Sequence, residues 1–544
     1  LWNTYNFGSN NTTGEDQLKI DIGGFNPIIG KSYGEIGAEA RAMHKSQGEG
    51  RPRRRGQLIE YFSSTGGDAP VYSLMDGIDT TWSRINGGAA IANAINDIID
   101  KYKPEKPVLS VPALAALHAQ INNLPVSNWR NKKLDEVKQL MEACSGLFME
   151  VTALNQLNVT GDSAKFTIAF NNRTGVPVEK TEVILFGNKY ILENIQANEN
   201  NIKPVAIIIP AGEPATQPYW LERSIRGGIY DVSVAAQIGK AENEGHYAVF
   251  NVTVAGKLYQ FQKPVLYKYT DPVKGELYQP IQMVNPVFIN SSPSILIFRN
   301  DVKKQQKTIH YTIKTNTQLN DKVKFVCSYN GREVLAFDSV VNYKKGSSTE
   351  VDVLINSDSV KNNSTLLAGG VLSAPSLYEH QFFSLRKISY DHIPDIYYNY
   401  YDQVRIIKMD LQTKGRKVGY IAGAGDKIPE ALEAMGYEVS VLTEEDITDD
   451  NLLKFDAIVT GIRAYNIHEY LSNKNDILNR YVKNGGNLIV QYLKSNFVGQ
   501  KKIVAGPYPF AIESGARVTE EDAPVNFLLP DHPVLNYPNR ITGK

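Results

Sequence analysis

Cysteine is nearly absent. The 544 residues carry two, Cys144 and Cys327, in segments of different type, which excludes a disulfide framework. That scarcity suits an envelope protein and a cytosolic one alike. Neither charge is in excess, with Lys+Arg and Asp+Glu both at 58. A nucleic-acid partner, which usually demands a basic surplus, is therefore not expected. No run approaches the ~20 consecutive apolar residues of a membrane-crossing helix, so no transmembrane segment is expected either. Histidine is sparse: the eight, at 44, 118, 246, 310, 380, 392, 468 and 532, form no His-x-x-His, no HExxH and no compact His/Asp cluster. Spacing leaves open a metal site assembled from distant residues. Short solenoid-type repeats are missing too.

What remains is an ordinary folded composition, 42% hydrophobic and 21% charged. At roughly 100–200 residues per domain the chain should hold three or four domains. It opens at Leu1 and stops at Thr542-Gly543-Lys544 in mid-pattern. The expectation is a cut piece, with any signal peptide already gone.

Ser32-Tyr33-Gly34-Glu35 has capping-box spacing and predicts a helix from about Tyr33 to His44. Three more helices follow. Ile91, Ile95, Ile98, Ile99 and Tyr102 share one face. Ser110 and Pro112 open a helix with Leu114, Leu117 and Ile121, and Leu134, Val137, Met141 and Cys144 line the third. Cys144 is therefore expected in the core.

From residue 150 the period becomes 2. Phe166/Ile168/Phe170, Tyr230/Val232/Val234 and Phe250/Val252/Val254 alternate as in a β-sandwich. Five prolines between Pro264 and Pro293 should discourage pairing and mark a boundary. In a second β block Ile309, Tyr311 and Ile313, Val323, Phe325 and Cys327, and Val351, Val353 and Ile355 point inward, with His310 facing out. After Gly415, strands at 418–422, 437–442, 457–460 and 487–492 alternate with helices at 429–435 and 476–482. This predicts a parallel, doubly wound α/β sheet.

Four segments carry candidate chemistry. Gly423-Ala424-Gly425-Asp426-Lys427-Ile428 follows the first α/β strand, where ligands usually bind. It has two glycines of a dinucleotide fingerprint, and Glu444 could serve a ribose, but Ile428 replaces the third glycine. Asp426 would repel a pyrophosphate, so a tight turn is favoured. The turn after the third strand, Thr460-Gly461-Ile462-Arg463-Ala464-Tyr465, lacks the Ser or Cys a hydrolase or amidotransferase needs there. Arg51, Arg53, Arg54 and Arg55 follow His44. Guanidinium forks bind carboxylate or phosphate and an imidazole can move a proton. The plainer reading is an exposed loop neutralised by Glu39, Glu49 and Glu60. Tyr397-Tyr398-Asn399-Tyr400-Tyr401 suits sugar rings or a partner, although packing of a linker against the α/β unit is favoured. Asp531-His532-Pro533 is explained by a Pro-flanked turn.

The stretch Gly37-Ala38-Glu39-Ala40-Arg41-Ala42-Met43-His44-Lys45-Ser46-Gln47-Gly48, with Gly77-Ile78-Asp79-Thr80-Thr81-Trp82, resembles the downstream part of large PIG-L (LmbE-like) family deacetylases of Gram-negative bacteria. Residues 267–275 and 531–535 are similar to that group as well. The resemblance implies the end of an α/β deacetylase domain with helices (1–149), two β-sandwich domains (150–270 and 284–405) and a doubly wound glutamine-amidotransferase-like α/β domain (414–544) without a nucleophile. It implies zinc-dependent N-deacetylation of amino sugars or glycans in the periplasm, at the outer membrane or outside the cell, with an envelope protein as a further partner. The family's Ala-His-Pro-Asp-Asp-Glu type zinc motif is not in this chain. It is expected upstream of Leu1, so zinc belongs to the longer protein and no metal ligand is assigned here. His44 is the candidate catalytic residue, and Arg51, Arg53 and Arg55 are the candidate substrate contacts. The alternative is a non-catalytic glycan-binding or scaffold protein of the envelope.

Overall fold

The computed structural model describes residues 1–4, 17–44, 47, 48, 50–223, 225, 228–240, 245–377, 381, 383–494, 503–508 and 523–542. The fold is multidomain, mostly β-sheet with some helices. Lys45, Ser46, Glu49 and His380, which figure in the sequence reading, lie outside the described residues.

An antiparallel three-stranded sheet opens the chain, with Ile59–Ser63 between Trp2–Asn3 and Leu18–Asp21. The helix Tyr33–Ala42 starts on the expected capping box: the Ser32 hydroxyl accepts from Glu35 N at 3.2 Å, and the Glu35 carboxylate accepts from Ser32 N at 3.1 Å. This segment has scarcely any interior. Among its described residues before Gly88, only Leu18, Gly23, Ser32 and Ala38 are buried.

The helices Gly88–Lys101, Val111–Asn122 and Asn128–Ser145 then share one hydrophobic core with the sheets that follow. Leu114, Leu117, Ile121, Val137, Met141 and Cys144 are buried as their spacing requires. Ile99 and Tyr102 are not. The helix ends at Lys101, and both side chains are exposed, while Ile95 and Ile98 pack with Ile91 on the core side.

In the first sandwich-like unit, one long strand, Lys257–Asp271, joins the two halves of a continuous eight-stranded sheet. Its first half pairs with Tyr247–Val254, which continues to Val178–Leu185 and Asn188–Leu192. Its second half pairs with Leu147–Ala153 and Gly275–Pro280, and the sheet continues to Ser163–Asn172 and Asn200–Ile208. Phe166, Ile168 and Phe170 of one half share a core with Val183, Phe250 and Val252 of the other. Pro264 sits within this strand, contrary to the expected break. It stands where the partners change, between Tyr247 and the Val265–Val151 pair, and there a missing N–H is tolerated. The alternating Tyr230, Val232 and Val234 form no strand. Tyr230 and Val234 are exposed in a loop, because alternation without a neighbouring strand supplies no ladder.

The second sandwich-like unit faces a three-stranded sheet (Val287–Ser292, Gln306–Thr315, Ser348–Asn356) with a five-stranded one (Ile295–Arg299, Gln403–Met409, Ser364–Ser373, Leu319–Tyr329, Arg332–Tyr343). Ile309, Tyr311, Ile313, Val323, Phe325, Cys327, Val353 and Ile355 fill its core. His310 faces out, 2.7 Å from Asp352. The tyrosine run lies on Ile396–Tyr401, paired with Phe383–Ile388, and it staples the two sandwich units. Tyr397 donates to Gln156 Oε1 at 3.2 Å, Asn399 N to Gln217 Oε1 at 2.6 Å and Asp395 N to Gln279 Oε1 at 2.9 Å. Among the described residues its hydrogen-bond partners thus lie in the preceding sandwich unit, where packing against the α/β unit was expected.

The C-terminal unit is a four-stranded parallel sheet. Its strands in chain order, Lys417–Ile421, Glu438–Val441, Ala457–Thr460 and Asn487–Val490, lie side by side as second, first, third, fourth. Val418, Tyr420 and Val459 pack with Ile428 and Leu432 of the helix Ile428–Met435 on one face. Ile421 and Ile458 pack with Leu452, Leu471 and Leu478 on the other. Helices therefore cover both faces, and the strand order reverses between the first and third strands, where such sheets open a crevice.

Candidate functional sites

The helix Tyr33–Ala42 organises the N-terminal candidates. Glu39 holds Lys31 at 2.9 Å and Arg53 at 3.2 Å, and Glu35 holds Arg55 at 2.9 Å. Lys31 depresses the Glu39 carboxyl below its ordinary value, with burial opposing it and Arg53 assisting. Asp21 secures the loop's return, its Oδ1 accepting from Leu58 N and Gly23 N, both at 2.9 Å. Arg53 and Arg55 are thus tied down by helix carboxylates, as the plainer reading expected in part. Glu35, hidden by its place in the capping box, is the unforeseen partner, while Glu60 accepts from Asn3 instead at 2.8 Å. His44 follows the helix, exposed, its Nδ1 2.8 Å from Gln47 Oε1. Neither Arg53 nor Arg55 is joined to it by a hydrogen bond. Ser32→Ala should loosen the helix start by about 1 kcal/mol, read as faster amide exchange at Glu35 and Ile36. Unchanged protection there would show that the cap does not hold the helix.

Among the described residues no group of three or more His, Cys, Asp or Glu is placed to hold a metal ion. His532 Nδ1 accepts from Val534 N at 3.2 Å, so Asp531-His532-Pro533 closes a turn.

At the C-terminal crevice two strand-end loops interlock. A Cβ on Gly423 would lie 2.2 Å from Ile462 O, and one on Gly461 would lie 2.4 Å from the Tyr420 hydroxyl. Only hydrogen fits at either position. Ala424 N donates to Ile462 O at 2.7 Å. Asp426 joins both loops: Oδ1 accepts from the Tyr420 hydroxyl at 2.8 Å and Ile428 N at 3.1 Å, and Oδ2 accepts from Ile462 N at 2.9 Å and Gln491 Nε2 at 3.4 Å. Burial raises the Asp426 carboxyl, but these donors outweigh it and hold it below its ordinary value. Burial and the Asp426 carboxylate push Tyr420 up to about 12. The favoured tight-turn reading of 423–428 thus has a mechanism, with Asp426 as a structural clasp.

Arg463 stands at the turn where a hydrolase would carry its nucleophile. Its backbone is left-handed, with φ 59°, and its N–H donates to Tyr492 O at 2.8 Å. His468 Nε2 lies 2.9 Å from Ala422 O, linking the turn back to the first strand. Thr460 Oγ1, Arg463 Nε and the Tyr465 hydroxyl are buried without hydrogen-bond partners, and burial pushes Tyr465 up to about 12. A hydrolase or amidotransferase would carry Ser or Cys here, and nothing in the residue type marks Arg463 as functional. The signal was the position itself.

No family model matches the chain, and no curated protein matches it. Among solved structures it is similar to red sea bream transglutaminase, at 8% identity and TM-score 0.23, over 53% of this chain and 34% of that one. The chain thus spans about a third of that protein's length. A Porphyromonas gingivalis W83 protein of unknown function aligns at 11% identity and TM-score 0.15, over 43% and 97%. Trypsin-activated alpha-2-macroglobulin from Escherichia coli aligns at 8% and 0.16, over 48% and 18%. Alignments this loose assign neither a fold family nor an activity.

Proposed function

We propose that these residues are part of a PIG-L-like zinc-dependent N-deacetylase acting on N-acetylated amino sugars or glycans of the bacterial envelope. In this reading the zinc motif is carried by polypeptide upstream of Leu1, and the protein is periplasmic, outer-membrane-associated or secreted. The observation that carries it is the lack of an interior under the motif-bearing segment. Ile28 is 94% exposed and Tyr72 88%, with Trp2, Phe25, Val71 and Ile78 also exposed. Each such side chain stabilises by roughly 1.5–3 kcal/mol when buried, and an apolar set of this kind marks a surface that meets something else. The rest of a catalytic domain would cover it, with the helix Tyr33–Ala42 presenting His44 and the arginine loop at its edge. The two sandwich units and the C-terminal unit, an amidotransferase-like domain without a nucleophile, then position a glycan or partner. The described residues do not form a zinc site, so no step is derived through metal here.

Among the described residues no helix is long and apolar enough to cross a membrane. Of the tyrosine run that motivated the alternative, a non-catalytic glycan-binding or scaffold protein, Tyr397 is engaged in stapling the sandwich units, while Tyr401 stays exposed. In the natural polypeptide carrying these 544 residues, acetate release from N-acetylglucosamine oligomers should vanish with a chelator and return with zinc. The isolated chain should be silent. Acetate release by the isolated chain, or metal-independent release by the natural polypeptide, would refute the proposal.

A further inference from the structure

We propose that the crevice between the first and third strands of the C-terminal sheet is a binding site for a monocarboxylate, with Arg463 as its anchor. Position comes first: open parallel sheets bind ligands outside the carboxyl ends of their strands, where the strand order reverses. Arg463 follows the third strand there, next in sequence to the Ile462 that meets Gly423 of the first strand's loop, and its N–H is held by Tyr492 O beyond the fourth strand.

The backbone supplies the second observation. Left-handed geometry favours glycine, yet this φ of 59° carries the largest cation available. The turn itself draws no benefit from a guanidinium. The third is an unmet need: among the described residues Arg463 forms no ion pair, and its Nε is buried with no acceptor. Thr460 Oγ1 and the Tyr465 hydroxyl are unpaired within the same six residues. Folded interiors pair such groups almost without exception, and a ligand carrying acceptor oxygens would supply what the chain does not.

Charge decides the class of ligand. The Asp426 carboxylate is fixed in the same turn, 2.9 Å from Ile462 N, and would repel a dianionic phosphate or a pyrophosphate. A single planar carboxylate matches the guanidinium fork at half the charge. Two sources share that chemistry, a sugar acid and a peptide carboxyl terminus.

Isothermal titration of the full chain with glucuronate, with glycylglycine and with inorganic phosphate tests the assignment. One saturable carboxylate site per chain is expected, with phosphate weaker. Glucuronate alone binding identifies a sugar acid, glycylglycine alone a peptide terminus, and both a carboxylate site indifferent to source. Arg463→Gly should weaken binding by at least about tenfold, the loss of a charged hydrogen bond. Its melting temperature should hold or rise, since glycine suits the left-handed turn, so a lost site is separated from a lost fold. Arg463→Lys should also weaken binding, because it removes the fork. Absence of any saturable carboxylate binding, tighter binding of phosphate, or unchanged affinity in Arg463→Gly would each overturn the proposal. This test is independent of the deacetylase reading and can fail without it.

Discussion

Phe325→Ala should destabilise the second sandwich unit by about 3–5 kcal/mol, the range for removing a buried phenyl ring. Phe325 is fully buried, edge-on to Tyr311 at 5.2 Å between ring centroids and stacked on Phe337 at 5.9 Å. The ring also fills the space beside Gly370, where a Cβ would come within 2.8 Å of Phe325 Cζ. Collapse into the vacancy is restricted, because Tyr311 is pinned by its hydroxyl, 3.2 Å from Cys327 Sγ. Most of the cavity should therefore persist, and residual cavity volume is what makes such substitutions severe. Tryptophan fluorescence would not report the change: the four tryptophans, at 2, 82, 129 and 220, all precede this unit. Amide exchange across Leu319–Tyr329 and Ser364–Ser373 does report it, through the free energy of local opening. A shift below about 1 kcal/mol there would mean that the unit repacks freely around the missing ring.

Where each residue's environment is set by its immediate neighbours in sequence, the fold was legible. Ile309, Tyr311 and Ile313 alternate with outward residues and lie in the core, since period 2 is the geometry of the strand itself. The Ser32 cap and the alternating strands and helices after Gly415 were readable for the same reason. Legibility failed where distant parts of the chain decide the outcome. Tyr230, Val232 and Val234 have the pattern of a strand but pair with none among the described residues. Ile99 lies outside the face that Ile91, Ile95 and Ile98 turn to the core. Pro264 is tolerated in a strand because another segment, Leu147–Ala153, takes over the pairing one residue later.

The sites divide in the same way. Glu35 looked like a cap residue, and its second task, the ion pair with Arg55, depends on a loop twenty residues away. Gly423 and Gly461 were visible as glycines, but their reason, a backbone contact closer than any Cβ permits, belongs to the meeting of two loops. Arg463 was unreadable as a left-handed residue because arginine carries no such preference. Its conformation is imposed by the strand ends around it and by the bond to Tyr492 O.

Those strand ends depend on Asp426. Asp426→Ala should weaken the C-terminal unit by about 2–4 kcal/mol, since it strands donors that a charged acceptor had satisfied. The Tyr420 hydroxyl and Ile462 N are the two that matter most, because they come from opposite sides of the crevice. Amide exchange in Lys417–Ile421 and Ala457–Thr460 should rise together. A rise on one strand alone would mean that Asp426 does not couple them. Acid supplies a check without truncation. The Asp426 carboxyl is held below its ordinary value of 3.8 in the folded chain. Its contribution is therefore complete above pH 3.8 and is lost as the pH falls through the lower folded value. Asp456, held low chiefly by the N–H groups of Arg416 and Lys417, titrates in the same unit, so the wild type has to be read against Asp426→Asn, which keeps Asp456 and cannot ionise at 426. The stability difference between the two should be constant above about pH 5 and shrink below pH 3.8. Parallel acid profiles would place the charge of Asp426 outside the energetics of the crevice and leave its role to shape alone.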